Sequence, residues 1–514
     1  MKAALVSTFG EIVREREGAA GHAPFVVSPD TSEVLSYGAL WRTVAALDAM
    51  FDERGVDAGE IVGFMLPNGI AAASAFVATM AAGRIVAPFN LLAQDAHLDY
   101  VLSHAQPRLL FTTHEYAARL TPAIERAGVT TRLVIVTSDS LDLDASDHGN
   151  QVPDVSPDSP AMLMYTSGTT GMPKGVLLSH ANMLHAGATV ASHHGLGASD
   201  RVLSSLPLYH INGQCIAMVS TLVAGASAVL PYRFSTSQWW GIVERFTPTW
   251  LNLVPTIVAY LLNGPDLTPA QASAATYIRF ARAASAPLPP EQQRAFEARF
   301  GISIVEAMGL TESASIAFCN PLERANRRIG SPGLPFGVEA RVVDATHREL
   351  PDDVSGEIEI RGPSVMLGYY RAPELTAKAL HDGWFATGDL GYRDTDGYYF
   401  ITGRSKELII KGGENIAPRE IDEALLKHPA ILEAAAVGVP DARYGQEILA
   451  CIVLKDGATL DADELIMFCM RELGRYKTPR YVRFVNELPK GPSGKVQRMR
   501  LAAESVELIG QSEA

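Results

Sequence analysis

Apolar residues along the chain fall into short runs separated by stretches where they recur at helical spacing. Val62-Gly63-Phe64-Met65-Leu66 stops at Pro67-Asn68-Gly69, a turn signal, and a helical pattern follows. Arg84 to Pro88, Leu109 to Thr112, Leu133 to Val136, Ala228 to Leu230 and Trp250 to Val254 repeat the rhythm. Short β-branched runs alternating with helices predict βαβ units and a largely parallel sheet. From about Arg341 the runs shorten and carry Gly and Asp turns, as in Gly356 to Ile360 and Asp396 to Phe400, which predicts a small antiparallel region. A boundary is predicted at Gly403-Arg404-Ser405-Lys406. Beyond it lie Leu408 to Ile410, a helix from Pro418, Ala434 to Val439 and Ile452 to Leu454, enough for a small α+β domain. The expected class is therefore α/β: a large N-terminal domain, residues 1–403, of mixed, mostly parallel sheets with helices, and a C-terminal α+β domain, residues 404–514. Ala71 to Gly83 is the most apolar stretch. It is too short to span a bilayer and is cut by Arg84, so it reads as a buried helix.

Length supports this division, because 514 residues exceed one ordinary core. With 47% hydrophobic and 19% charged residues the chain is globular rather than disordered. A formal net charge of −14 argues against nucleic acid as the main partner but not against ATP, which a local basic cluster can hold. Cys215, Cys319, Cys451 and Cys469 form no C-x-x-C pair, so neither zinc nor dithiol chemistry is suggested and a reducing compartment fits. Met1 to Val6 leads at once into polar residues, with no apolar core of a signal. A cytoplasmic chain without membrane contact is expected. A homodimer is compatible with the sequence and not fixed by it.

The candidate chemistry centres on Tyr165-Thr166-Ser167-Gly168-Thr169-Thr170-Gly171-Met172-Pro173-Lys174-Gly175, after the apolar run Ala161 to Met164. Glycines let backbone N–H groups approach a phosphate, hydroxyls add donors, and Lys174 adds a compact charge. No Gly-x-x-x-x-Gly-Lys-Ser/Thr can be drawn through it, so it is not a Walker loop. The segment resembles the signature of the adenylate-forming superfamily, which includes acyl-CoA synthetases. Further motifs occur in that family's order over nearly the whole chain.

The resemblance implies roles for individual residues. Thr166, Ser167, Gly168, Thr169, Thr170 and Lys174 cradle the phosphates of ATP. In Met308-Gly309-Leu310-Thr311-Glu312, Thr311 contacts the α-phosphate and Glu312 coordinates Mg2+, a hard cation suited to a carboxylate. Met308 stands where the family has an aromatic residue against adenine. Ser285, Ala286 and Pro287, after Ala284, form the small-residue turn beside adenine. Asp389, in Thr387-Gly388-Asp389, receives the ribose hydroxyls, and Arg404 also reaches the ribose. Lys406 falls at the hinge before a mobile C-terminal domain. Gly412 and Gly413 belong to the loop lining the pantetheine path of CoA. Pro489-Lys490-Gly491-Pro492-Ser493-Gly494-Lys495 resembles the catalytic-lysine motif; its spacing favours Lys495, with Lys490 the local rival.

The implied reaction joins a carboxylic acid to CoA. The carboxylate attacks the α-phosphate of ATP, pyrophosphate leaves, and the CoA thiol then displaces AMP from the acyl-adenylate. Positioning and electrostatics carry such a transfer. The acyl pocket is expected around Leu206 to Gly213, with His210, Asn212 and Gly213 in it, closed by Asn252 to Pro255 and by Arg279 to Ala283. Arg282 leaves two readings open. It binds a second anionic group of a small dicarboxylic or carnitine-like acid, or it faces away and pairs with a surface carboxylate. Rivals are a medium-chain fatty or aromatic acid–CoA ligase, an adenylation enzyme serving a carrier protein, a luciferase-like oxidative enzyme, a P-loop NTPase, and a catalytically dead binding protein. Intact Glu312, Asp389 and Lys495 argue against the last.

Overall fold

The computed structural model describes residues 7–143, 153–166, 172–404, 406–441, 443–490 and 496–512. Two large sheets dominate the first part. One runs, in spatial order, Gly368–Tyr369, Lys174–Ser179, Pro160–Thr166, Ile85–Pro88, Ile61–Met65, Leu109–Thr112 and Arg132–Ile135. Its last five strands are parallel and the first two pair antiparallel at the edge. The other runs Leu334–Pro335, Phe318–Cys319, Ile304–Met308, Phe280–Ala283, Trp250–Leu253, Arg201–Ser204, Ser227–Val229, Pro24–Val27 and Val34–Ser36. The six strands from Ile304–Met308 to Pro24–Val27 are parallel. These strands are largely apolar because helices cover both faces, as parallel sheets require.

The helix Ile70–Ala81 is buried along every residue. Its small side chains let neighbours pack close on all sides. Among the described residues no helix is long and apolar enough to cross a membrane. Antiparallel pairing then takes over, as anticipated, in Glu339–Val343, Gly356–Arg361, Trp384–Arg393, Leu380–His381 and Tyr399–Arg404. The C-terminal domain has its own sheet, with a long antiparallel pair, Ile431–Asp441 and Gly445–Leu454, at its centre. Ile421, Leu425, Leu465 and Cys469, from the helices Pro418–Leu425 and Ala462–Lys477, fill a core on one side of it, and Leu501 of Arg498–Ser512 joins another on the other side.

Candidate active site

A cavity of about 260 Å3 opens at the carboxyl ends of the nine-stranded sheet, closed over by residues of the C-terminal domain. Carboxyl ends of parallel strands are where ligands bind in such sheets, because the connecting loops diverge there. Ser285, Ala286, Pro287, Met308 and Gly309 form one wall, and Asp389 and Arg404 another. Ser285 has φ +75, so the turn after Phe280–Ala283 is a sharp one built without glycine. A Cβ on Gly309 would fall 2.1 Å from the Ser315 carbonyl oxygen, so only glycine fits there. Thr311 and Glu312 follow in a short 3-10 turn, Thr311–Ser313.

Asp389 and Arg404 face each other across the Trp384–Arg393 and Tyr399–Arg404 strands. Arg404 donates from Nε to Oδ1 at 2.8 Å and from Nη2 to Oδ2 at 3.4 Å. The carboxylate beside it holds Arg404 more firmly protonated. The Asp389 backbone N–H donates to Thr387 Oγ1 at 3.1 Å, and that hydroxyl donates to the Ile358 carbonyl at 2.7 Å.

Lys174 and Thr166 stand opposite each other at the mouth of the hairpin between Pro160–Thr166 and Lys174–Ser179. The predicted phosphate donors Ser167, Gly168, Thr169 and Thr170 lie outside the described residues, as does Lys495. Lys174 Nζ sits 4.7 Å from the centre of the Tyr369 ring, and the Tyr369 hydroxyl donates to Glu312 Oε1 at 2.9 Å. Burial, with the Glu312 carboxylate adding to it, drives the Tyr369 phenol far from ionisation. Tyr369 thus joins two motifs that are 138 residues apart in sequence, counting from Lys174 to Glu312.

Behind the cavity the sheet carries a row of buried polar side chains. Ser204, Asn252 and Arg282 lie in register on adjacent strands, each 0% exposed. Asn252 Nδ2 donates to Asn212 Oδ1 at 3.2 Å, and Arg282 Nη1 approaches the same oxygen at 3.5 Å. Asn212 Nδ2 donates to Ser285 Oγ at 3.0 Å, which connects the row to the cavity wall. Arg282 does not pair with a surface carboxylate: it is fully buried, and no ion pair among the described residues includes it. Its Nε and Nη2 have no hydrogen-bond partner. Burial pushes its pKa down to about 10, against the opposing pull of the Cys319 thiol, so it stays cationic at neutral pH. His193 and His194 nearby are pushed down by burial and then by Arg282, and stay neutral.

His210 Nδ1 accepts from the Asn212 backbone N–H at 3.3 Å, which leaves the ring proton on Nε2. Burial pushes its pKa down to about 4, so the ring is neutral. A Cβ on Gly213 would meet the Pro207 carbonyl oxygen at 2.6 Å. Neither His210 nor Arg282 lines the cavity itself. Lys406 is exposed, outside the cavity. Gly412 and Gly413 make the two-residue turn between Ile409–Lys411 and Glu414–Ile416, with φ +56 and +86, away from the cavity. Both need the left-handed region, so glycine there serves the turn whatever else it does. Lys490 is tied to Glu433 at 2.5 Å. Lys490 and Val496, which bracket the 491–495 segment, pair with each other and line the cavity.

Two residues, Glu306 and Tyr369, escaped sequence reasoning. Glu306 is 4% exposed and lines the cavity; its Oε1 accepts the Leu288 N–H at 3.3 Å and its Oε2 has no partner. Burial pushes its pKa up to about 7, against the opposing Arg419 guanidinium. Asn252, which the sequence places in the segment closing the acyl pocket, sits alone among apolar neighbours in Trp250–Leu253, and that break in the pattern was its signal. Tyr369 gave none.

Residues 13–370 match the family of AMP-binding enzymes, and residues 420–495 match the C-terminal domain of those enzymes. The sulfoacetate–CoA ligase of Cupriavidus necator is 52% identical over 483 residues, 93% of this chain and 94% of that one. The oxalate–CoA ligase of Arabidopsis thaliana is 35% identical over 476 residues, 90% of this chain and 91% of that one. The crystal structure of ATP-bound MatB from Rhodopseudomonas palustris superposes with a TM-score of 0.88 at 30% identity, covering 97% of this chain and 99% of that one.

Proposed function

This chain belongs to the AMP-binding enzymes and is an AMP-forming carboxylic acid–CoA ligase, and on that premise we propose that its acid is small and carries a second anionic group. The observation that carries the proposal is Arg282, a fully buried cation with two donors unpartnered and no counter-ion among the described residues. A buried charge left open is costly unless a ligand completes it. The acid's distal anion supplies what is missing, attracted across Asn212, while its reacting carboxylate lies toward Ser285 and the nucleotide. Relatives named for sulfoacetate and oxalate, both two-headed and anionic, support the same class. The Arg282 guanidinium keeps its charge when buried, which suits attraction of a sulfonate or carboxylate through Asn212.

The remaining assignments belong to the same proposal. The phosphates of ATP rest on the loop from Thr166 to Lys174. Glu312 would hold Mg2+ there together with phosphate oxygens; its carboxylate is a hard donor, oriented by Tyr369. Charge on the α-phosphate during attack is met by Lys174, Thr311 and Lys495. Asp389 and Arg404 take the ribose, and the turn from Ser285 to Pro287 with Met308 takes adenine. His210, neutral with its proton on Nε2, offers a donor toward the reacting carboxylate. The C-terminal domain begins at Arg404, pivots at Lys406 and brings Gly412 and Gly413 to the thiol path for the second step.

Following AMP release with ATP, CoA and a panel of acids tests the substrate class. Sulfoacetate, oxalate or malonate should exceed acetate, benzoate and palmitate in kcat/KM; preference for palmitate or benzoate would sink the proposal. Single-turnover kinetics test the roles. Lys495→Ala should cost about two to four decades in adenylate formation and spare thioester formation from supplied adenylate. Gly413→Leu should do the reverse. Equal loss of both steps in a folded Lys495→Ala variant would contradict the alternation of domains.

A further inference from the structure

We propose that His347, Glu359 and His381 form a binding site for a divalent transition-metal ion of the Zn2+ type, apart from the active site. His347 Nδ1 lies 2.7 Å and His381 Nε2 2.9 Å from the same carboxylate oxygen, Glu359 Oε1. The three donor atoms lie within 4.8 Å of one another. Two imidazoles and one carboxylate are the donor set of borderline cations, not of Mg2+ or Ca2+. Three protein ligands leave a fourth position for water. Tetrahedral bonds of about 2.0–2.2 Å place donors roughly 3.3–3.6 Å apart, so each imidazole draws back from Oε1 by about half an ångström or somewhat more.

The sheet builds this site rather than merely permitting it. Glu359 is fully buried at the centre of Gly356–Arg361, where an unsupported carboxylate would be costly. Arg341, directly across in the Glu339–Val343 strand, binds Glu359 Oε2 from Nε at 2.9 Å and Nη2 at 2.7 Å. That fixes the carboxylate and turns Oε1 alone toward the two histidines, the orienting role played by outer partners at metal sites. Burial would raise the Glu359 pKa, but Arg341, His347 and His381 outweigh it and keep it ionised. His381 ends the Leu380–His381 strand opposite Trp384. His347 occupies a left-handed position, φ +61, in a turn pinned by the Asp344 side chain, which accepts from the Thr346 and Arg348 backbone N–H groups. Half of His347 and a quarter of His381 remain exposed, 49% and 24%, so an ion has an entry path. The Arg341 charge close by weakens the attraction, so micromolar affinity is expected rather than the tight binding of a structural zinc.

The site shares its sheet with Asp389, since Glu359 and Ala386 are register partners three residues from that carboxylate. A bound ion ties the Leu380–His381 edge and the turn at His347 to the sheet centre, which stiffens the sheet that presents Asp389.

The experiment uses the full chain, stripped with chelator and dialysed, with excess Mg2+ present. Calorimetric titration with ZnCl2 is run on the native protein, His347→Asn and His381→Gln, and Co2+ absorption is recorded in parallel. Asn tolerates the left-handed conformation, so His347→Asn keeps the turn. The native protein should bind one equivalent more than either variant, or bind that equivalent at least about tenfold tighter. It should also show visible Co2+ bands of a low-coordinate site, lost in both variants. Zn2+ should raise the Tm of the native protein and not that of His347→Asn. Equal stoichiometry, affinity and Co2+ spectra in all three proteins would overturn the proposal, as would a Zn2+-dependent Tm rise that His347→Asn retains.

Discussion

Arg84 and Arg282 are both buried guanidinium groups, and their surroundings could hardly differ more. Arg84, 3% exposed between the helices Tyr37–Glu53 and Ile70–Ala81, is closed in by acceptors. It donates to the Val56 carbonyl from Nε and Nη2, to the Ala82 carbonyl at 2.5 Å, and pairs with Asp48 and, at 2.9 Å, Asp52. Arg282, in the middle of a parallel strand, has one long contact to an amide oxygen and the Cys319 thiol beside it, with no carboxylate paired to it among the described residues. A guanidinium retained for architecture is saturated by its own chain. One held open keeps the cost of its burial in place until something else completes it. On the proposed function, the contrast separates stability from recognition at residues that composition cannot tell apart.

The sharpest break of this comparison is a pair of substitutions. Arg282→Met should lower kcat/KM for two-headed acids by about 10²–10⁴-fold, the cost of losing a buried partner for a charge, and leave thermal stability unchanged or raised. Arg84→Met should cost about 2–4 kcal/mol of stability, because it strands two carboxylates, and leave kcat/KM of the folded enzyme near normal. Denaturant melts and steady-state kinetics on both variants decide it; if Arg282→Met destabilises as much as Arg84→Met while turnover survives, Arg282 is architecture too.

Glu306 extends the comparison to the opposite sign. Its folded pKa, about 7, exceeds the ordinary 4.5, so the folded state binds the extra proton between those values. Stability therefore falls as pH rises from about 4.5 to 7 and is flat above, by up to about 3 kcal/mol. Glu306→Gln should remove that slope, gaining on the native protein at pH 8 relative to pH 5. Parallel melts at the two pH values test it, and an unchanged difference between them would remove Glu306 from the class of half-partnered ions. The smallest effect is expected at Tyr369→Phe, which deletes the donor to Glu312. The Mg2+ concentration for half-maximal activity should rise by about tenfold, as when an outer partner of a ligand is lost. No change would mean that Glu312 needs no orienting.

The parallel strands were legible in the chain because runs such as Leu109 to Thr112 and Trp250 to Val254 are apolar, bounded by turns and too short for helices. The antiparallel switch after Arg341 was legible from its Gly and Asp turns. The glycines at 309, 412 and 413 were visible as motif members, but what each must do required coordinates: a carbonyl 2.1 Å from a would-be Cβ in one case, two left-handed turn positions in the others. Arg282 stood out as a charge in an apolar strand, yet the pattern could not say whether its head met solvent, a carboxylate or nothing. Pairings across the fold, such as Lys174 with Tyr369 with Glu312, leave no local trace, because each partner lies in a different stretch of chain. The same holds for His347, Glu359 and His381, which come together only through register.

On the proposed assignments Asn212 touches both halves of the reaction, since one end of its amide donates to Ser285 and the other accepts from Asn252 and Arg282. An amide cannot turn at one end and stay still at the other. Occupancy of the acid row is therefore felt at the adenine turn, and by thermodynamic reciprocity occupancy of that turn is felt equally in the acid row. If the proposed assignments hold, ATP and the acid act as each other's effectors: each helps the other to settle when their demands on Asn212 agree, and an acid that asks for the wrong orientation weakens the enzyme's hold on ATP as well as its own.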